Sequence, residues 1–223
     1  MPYVEKPELV VLKSGVPQRY LGYSLAVLKK YREYADGHRE CCKYTKNLPT
    51  AIKRGIGVCM FGANNEFRKQ AFYGMVKAAI AQDYSVQVID IEDLLQAHSK
   101  KTDLYDRCFK VDILAFPEME MPESIVNNYI RAIVHRVVKK RAENGKPMLF
   151  ATALEVKHPD HSLDMLYTGL GRYIIDNTVL FNFAHNNNCK WLKEGHPMKL
   201  ASLAVGRMDK EKKTKKKLKF KKK

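Results

Sequence analysis

Gly62 closes an apolar run and is followed five, six and seven residues on by Phe67, Arg68 and Lys69. At that spacing a phosphate-gripping loop, G-x-x-x-x-G-K-[ST], places its second glycine, its lysine and its hydroxyl. Each residue type has a task. Glycines let backbone N–H groups close around phosphate oxygens, the lysine neutralises the outer phosphates, and the hydroxyl ligates Mg²⁺. Here Phe67 replaces the glycine, Arg68 the lysine and Lys69 the hydroxyl. Within Ala63-Asn64-Asn65-Glu66-Phe67, Glu66 brings negative charge towards the phosphates' place, and Phe67 puts a ring where backbone must approach. Arg68 keeps a cation, although its planar fork differs from an ammonium point charge. The frame is that of a nucleotide site; the residues are those of a site that has lost hydrolysis.

Other chemistry-bearing residues are less ordered. Pro117-Glu118-Met119-Glu120-Met121-Pro122 follows an apolar stretch, and its two glutamates read first as loop carboxylates. His38, Cys41 and Cys42, and His185 with Cys189, lack the second short-spaced pair that a closed zinc site needs. His158-Pro159-Asp160-His161 reads as a solvated turn with a helix cap. No metal site and no Ser–His–Asp or Cys–His arrangement is assigned. The five cysteines show no disulfide-framework spacing, which suits a reduced compartment.

Charge is the second signal. The 223 residues carry a net +16, and Arg207–Lys223 alone holds eleven basic against two acidic residues, a net +9. A like-charge tail cannot pack a core and is predicted to be disordered. Its natural partner is nucleic acid, whose phosphates release counterions when neutralised. The candidate DNA contacts there are Lys210, Lys212, Lys213, Lys215, Lys216, Lys217, Lys219, Lys221, Lys222 and Lys223. A helix expected over Ser124–Glu143 adds Arg136, Lys139 and Lys140, three and four apart and so on one face. Tyr20, Tyr23, Tyr31, Tyr34 and Tyr44 offer rings for unpaired bases, though helical spacing favours packing. No apolar run reaches the length of a membrane span, and the N-terminus lacks a signal-peptide core, so no membrane partner is expected.

These groups need a frame. Residues up to about Gln18 read as extended, Tyr20–Ala35 and Cys41–Lys46 as helices. Gly57–Phe61, Ser85–Asp90, Asp112–Phe116, Met148–Thr152 and Thr178–Phe183 read as strands. Between them, helices are expected from about Phe67, over Ile91–Ser99, over Ser124–Glu143 and over His161–Ile175. Strands alternating with helices imply an α/β fold, a parallel sheet with helices on both faces. The expected divisions are an N-terminal segment 1–50, an α/β core 51–184, a C-terminal arm or helix 185–206 and the tail 207–223.

The order of these elements resembles the AAA+ domain of bacterial and phage replicative-helicase loaders and their transposon relatives, the DnaC/IstB group, over roughly Pro17–Ala184. The resemblance rests on Arg19-Tyr20, on Lys53-Arg54-Gly55-Ile56-Gly57 leading to Phe61-Gly62, on Gln82–Val86 with Asp93-Leu94-Leu95, on Lys146–Thr152 and on Gly171-Arg172. It implies a P-loop NTPase-like fold in which Gly62, Arg68, Lys69, Glu118 and Arg172 are remnant nucleotide positions. Pro117 then stands at the metal-coordinating aspartate, Glu118 at the catalytic glutamate, Ala153 near the sensor-1 polar residue, and Arg172 at the finger region. Four ATPase elements altered together imply a pseudo-ATPase with no catalytic residue and no cofactor. The implied role is a DNA-replication accessory protein of a phage or mobile element, in the cytoplasm of a bacterial host. It would bind single-stranded DNA and a replicative helicase or another AAA+ subunit, as a homo- or hetero-oligomer. Two alternatives stand beside it: an active ATPase that holds ATP and Mg²⁺ in an atypical loop with Glu118 as the water-positioning acid, and a DNA-coating scaffold.

Overall fold

Gly57–Phe61 (β1), Val86–Val88 (β2), Ile113–Phe116 (β3), Met148–Thr152 (β4) and Thr178–Asn182 (β5) form one parallel sheet in a computed structural model, in the order β2-β3-β4-β1-β5. The structure describes residues 7–28, 35–62, 65–122, 124–154 and 162–183. The expected arm 185–206 and the tail 207–223 lie outside these residues, as do Tyr31, Tyr34, His158, His161 and Cys189.

The strands are apolar runs because both sheet faces are covered, and every residue of β1, β2, β3 and β4 is buried. Parallel crossovers are right-handed, so the direction of each move along the sheet sets the face its helix covers. From β1 to β2 the chain moves one way through α5 (Asn65–Ile80). From β2 to β3, β3 to β4 and β4 to β5 it moves the other way, through α6 (Ile91–Ser99) and α7 (Asp103–Lys110), α8 (Asn128–Glu143), and α9 (Leu163–Leu166) with α10 (Leu170–Asn177). Thus α5 covers one face, joined by α1 (Pro7–Lys13), α2 (Leu25–Leu28) and α3 (Ala35–Lys46); α8 packs with α6, α7 and α10 on the other. A short α4 (Leu48–Lys53) leads into β1. No helix among the described residues is long and apolar enough to cross a membrane.

Several boundaries differ from expectation for local reasons. The first described residues are helical: Pro7 opens α1, where a missing N–H costs nothing, with Glu8 in its first turn and Lys13 in its last. Of the helix expected over Tyr20–Ala35, the structure shows a 3₁₀ turn at Gln18–Tyr20 and α2. The expected Cys41–Lys46 helix is the second half of α3. Pro49 sits in the first turn of α4, a helix the sequence reading did not include. α7 went unforeseen although Leu104, Tyr105, Cys108 and Phe109 recur at helical spacing, because it is only eight residues long and its mean hydropathy is low. α8 starts at Asn128, later than Ser124, because the Asn127 side chain accepts from the Ile130 N–H at 3.0 Å and caps it. The helix expected over His161–Ile175 is split at Gly169, whose φ of 81° only glycine adopts freely.

One buried cation ties the α8 side together. Arg141 is 1% exposed. Its guanidinium donates to the carbonyls of Cys108 (2.7 Å), Val111 (3.1 Å), Asp112 (2.9 Å) and Pro147 (3.0 Å). It thereby joins the end of α7 to the entrances of β3 and β4. Burial pulls its pKa down to about 10, still well above neutrality, so it remains charged at pH 7.

The segment after α1 covers the free edge of β2. The Val88 N–H donates to the Ser14 carbonyl at 2.6 Å, and Gly15 follows at φ 89°. A Cβ on Gly15 would stand 2.3 Å from the Val88 oxygen. Gly15→Ala is therefore expected to cost about 2 kcal/mol through strain and displacement. Urea unfolding checks this; an unchanged midpoint would mean the contact is dispensable.

Candidate nucleotide site and nucleic-acid face

The remnant site lies at the carboxyl end of β1, where the chain leaves for β2 while the β4–β5 connection runs the opposite way. Open α/β sheets bind ligands at such switch points. The helix does not wait for Arg68: α5 begins at Asn65, so Asn65, Glu66 and Phe67 are its first turn. Three residues of a would-be loop are thus wound into helix, with their amides directed along its axis.

Arg68 is 2% exposed and points back under this turn. Its Nη1 donates to the Gly62 carbonyl, and its Nη2 lies 3.9 Å from Glu120 Oε1. Burial pulls the Arg68 pKa down, while Glu120 and then Glu118 push it back up. Lys69 Nζ meets Glu118 Oε1 at 2.6 Å, with Glu118 the more exposed partner at 47%. Both carboxylate oxygens of Glu120 are shielded from solvent and meet no hydrogen-bond donor among the described residues. Glu118 and Glu120, read from sequence as loop carboxylates, are therefore brought against the two cations of the remnant loop.

Glu66 is engaged as well. It accepts from the Tyr23 hydroxyl at 2.5 Å, and this bond is the main cause pushing the Tyr23 pKa up to about 12. Gln70 Nε2 donates to the Ser24 carbonyl at 2.8 Å, and Lys77 Nζ to the Leu21 carbonyl at 2.5 Å. Residues 20–25 thus strap along α5, with Tyr20 stacked on Tyr73 at 4.2 Å between ring centroids. Below the strap lies a cleft of about 160 Å³, lined among others by Arg19, Tyr20, Lys69, Tyr73, Asp90 and Glu118.

The residues present do not fit Mg²⁺-bound nucleotide in the manner of the loop pattern. Lys69 sets an ammonium where a hydroxyl would ligate the metal, and a fixed cation repels a divalent one. Pro117 supplies no carboxylate. Thr152 is buried, and its Oγ1 accepts from the Leu154 N–H at 3.0 Å, while the neighbouring Ala153 is exposed. Arg172 is not brought to the cluster: it is 88% exposed on α10 and pairs with Asp176, one turn on, at 3.7 Å. Among the described residues no three His, Cys, Asp or Glu side chains converge as a metal site.

Arg136, Lys139 and Lys140 are all exposed on α8. Lys139 reaches Glu143 at 3.9 Å, and Lys140 Nζ lies 5.2 Å from the Phe109 ring centroid. Beside them runs a line of rings contributed by three helices. Tyr129 meets His98 at 5.9 Å, His98 meets Tyr105 at 4.9 Å, and Tyr105 meets Phe109 at 5.2 Å, each edge to face. Tyr129 is 54% exposed, and the other three are half-buried. Arg136 lies beside Tyr105 and holds its hydroxyl pKa partly down against burial. Sequence reasoning named other rings. Tyr20 and Tyr44 are buried, the latter donating to the Ile56 carbonyl at 2.7 Å. The exposed line could be found only by knowing that α6, α7 and α8 pack together.

The β2-β3-β4-β1-β5 order, with the site at the end of β1, makes this a P-loop-like parallel α/β sheet with helices on both faces. Among solved structures, the chain is similar to the DnaC helicase loader, with 13% identity, a TM-score of 0.59, and 74% of this chain and 99% of that one covered. It is similar to DnaI at 11% identity and a TM-score of 0.59, covering 75% of this chain and 94% of that one. Replication initiator DnaA bound to AMPPCP and single-stranded DNA gives 14% identity and a TM-score of 0.54, over 73% of this chain and 50% of that one. At such identities the likeness is one of fold. No protein-family profile matches the sequence, and no curated protein matches it.

Proposed function

We propose that the protein is a DNA-replication accessory factor that uses an AAA+ fold as a binding scaffold and does not hydrolyse nucleotide. The observation that carries this reading is the pairing of both remnant-loop cations, Arg68 with Glu120 and Lys69 with Glu118, under a first helical turn that replaces the loop. A hydrolytic site needs those cations free for phosphates and a metal beside them.

Its ligand is single-stranded DNA. Arg136 and Lys140 offer phosphate contacts beside rings on which unpaired bases can stack. The Lys-rich tail 207–223 adds non-specific affinity. Likeness in fold to the DnaC and DnaI helicase loaders supports a replicative helicase, or another AAA+ subunit, as protein partner. The test is calorimetric titration with ATP and Mg²⁺, alongside anisotropy of a labelled oligonucleotide with and without ATP. The expected result is no saturable ATP binding up to millimolar concentration and DNA affinity indifferent to ATP. Saturable, Mg²⁺-dependent ATP binding followed by turnover would overturn the proposal in favour of an ATPase that uses Glu118.

A further inference from the structure

We infer that Glu118 and Glu120 are built-in counter-anions, and that the chain carries a polyphosphate site which it masks itself. The inference deepens the reading of a non-hydrolytic scaffold and rests on it. Two consecutive cations stand at the positions of the pattern's lysine and hydroxyl, Arg68 almost wholly buried and Lys69 16% exposed, and each faces its own carboxylate. The two acids come from one short segment, two residues apart, just beyond β3. A third acid, Glu66, occupies the first turn of α5, where the helix dipole favours an anion. The site thus supplies, from its own side chains, the negative charge that a ligand would bring.

The two pairs differ in how they could open. Arg68–Glu120 is enclosed and loose at 3.9 Å, whereas Lys69–Glu118 is tight at 2.6 Å with its carboxylate half in water. Water and salt weaken the second pair, so it is the one an incoming polyanion would displace. Lys69 also lines the 160 Å³ cleft, which gives a route to its ammonium from solvent. Because that ammonium stands in the metal ligand's place, the unmasked site should take a bare polyphosphate chain without Mg²⁺.

The test removes charge while keeping shape. Glu118→Gln, and Glu118→Gln with Glu120→Gln, are titrated with tripolyphosphate by calorimetry in the full-length protein, with EDTA and then with Mg²⁺. The wild type sets the baseline, including binding by the Lys-rich tail. The expected result is at least a tenfold gain in affinity for Glu118→Gln, a larger gain for the double variant, both independent of Mg²⁺, and a return to baseline when Lys69→Ala is added. Because Glu118 is half exposed, its variant should fold even if the double variant does not, and a cooperative melt verifies this. A folded Glu118→Gln protein with no gain, a gain that survives Lys69→Ala, or wild-type binding at a matching extra site would each overturn the inference. Failure of the non-hydrolytic reading is a separate result, namely ATP turnover by the wild type.

Discussion

Arg141→Ala is expected to lower the melting temperature by about 10 °C, the largest loss of any single substitution outside the apolar core. Four carbonyls give up a charged donor at once, and among the described hydrogen bonds only the Val111 carbonyl keeps a second side-chain donor, Lys146 Nζ at 3.5 Å. Leaving a buried acceptor unsatisfied costs about 1 kcal/mol or more, so the sum is about 4 kcal/mol. For a domain of this size, each kcal/mol moves the midpoint by about 2–4 °C. Arg141→Lys should recover only part of the loss, because a single ammonium cannot span acceptors contributed by α7 and by the residues just before β3 and β4. Lys139→Ala, which breaks an exposed pair two residues earlier on the same helix, is the control and should cost under ~0.5 kcal/mol. Calorimetric melts of the three variants decide the matter. A fall under about 3 °C for Arg141→Ala would show that the four carbonyls find water or other donors and that the guanidinium is not the clamp described.

The second large effect concerns DNA. Truncation after Gly206 removes eleven basic and two acidic residues. Single-stranded DNA contributes a salt slope of about −0.7 per phosphate neutralised, so engagement of half the basic residues would flatten the slope by about 4. At 50 mM salt, the dissociation constant should rise by roughly two to three orders of magnitude. The folded face should then dominate what remains. Arg136→Glu with Lys140→Glu should weaken residual binding about tenfold and reduce the slope further. Tyr129→Ala should weaken it by a similar factor with the slope unchanged, since stacking releases no counterions. Anisotropy titrations at four salt concentrations separate the two behaviours. Unchanged affinity in the truncated protein would remove the tail from the interface, and a Tyr129→Ala effect that varies with salt would remove the stacking assignment.

The strands were legible because burial on both faces leaves a signature in one stretch of sequence. Met148–Thr152 and Ile91–Ser99 could be read to the residue, the first from its unbroken apolar run, the second from the apolar repeat opened by the Asp90 cap. The remnant site was legible in part: loop spacing singled out Gly62, Arg68 and Lys69, and the resemblance in element order added Glu118. What spacing could not supply was pairing across elements. Glu120 becomes a partner of Arg68 only because β3 ends beside the first turns of α5. The ring line needed α7, a helix of only eight residues whose apolar positions, Leu104, Tyr105, Cys108 and Phe109, are set among four charged ones. Three early prolines suggested an extended N-terminus, yet Pro7 sits where a helix tolerates it best. Local chemistry was visible in these cases; the distance between elements was not.

The strand order also dictates when this protein can fold during synthesis. β1 has no partner among the strands made soon after it: Val58 pairs with Leu149 on one side and Val179 on the other. β2 and β3 pair with each other, but β3 reaches β1 only through β4. A nascent chain therefore emerges from the ribosome with an interior strand, β1, unpaired and apolar until β4 and β5 follow. Long sequence separation of this kind slows folding and prolongs exposure of a sticky edge. Every pairing is parallel, so no local hairpin can protect the growing chain, and completion of the sheet has to wait for β4 and β5.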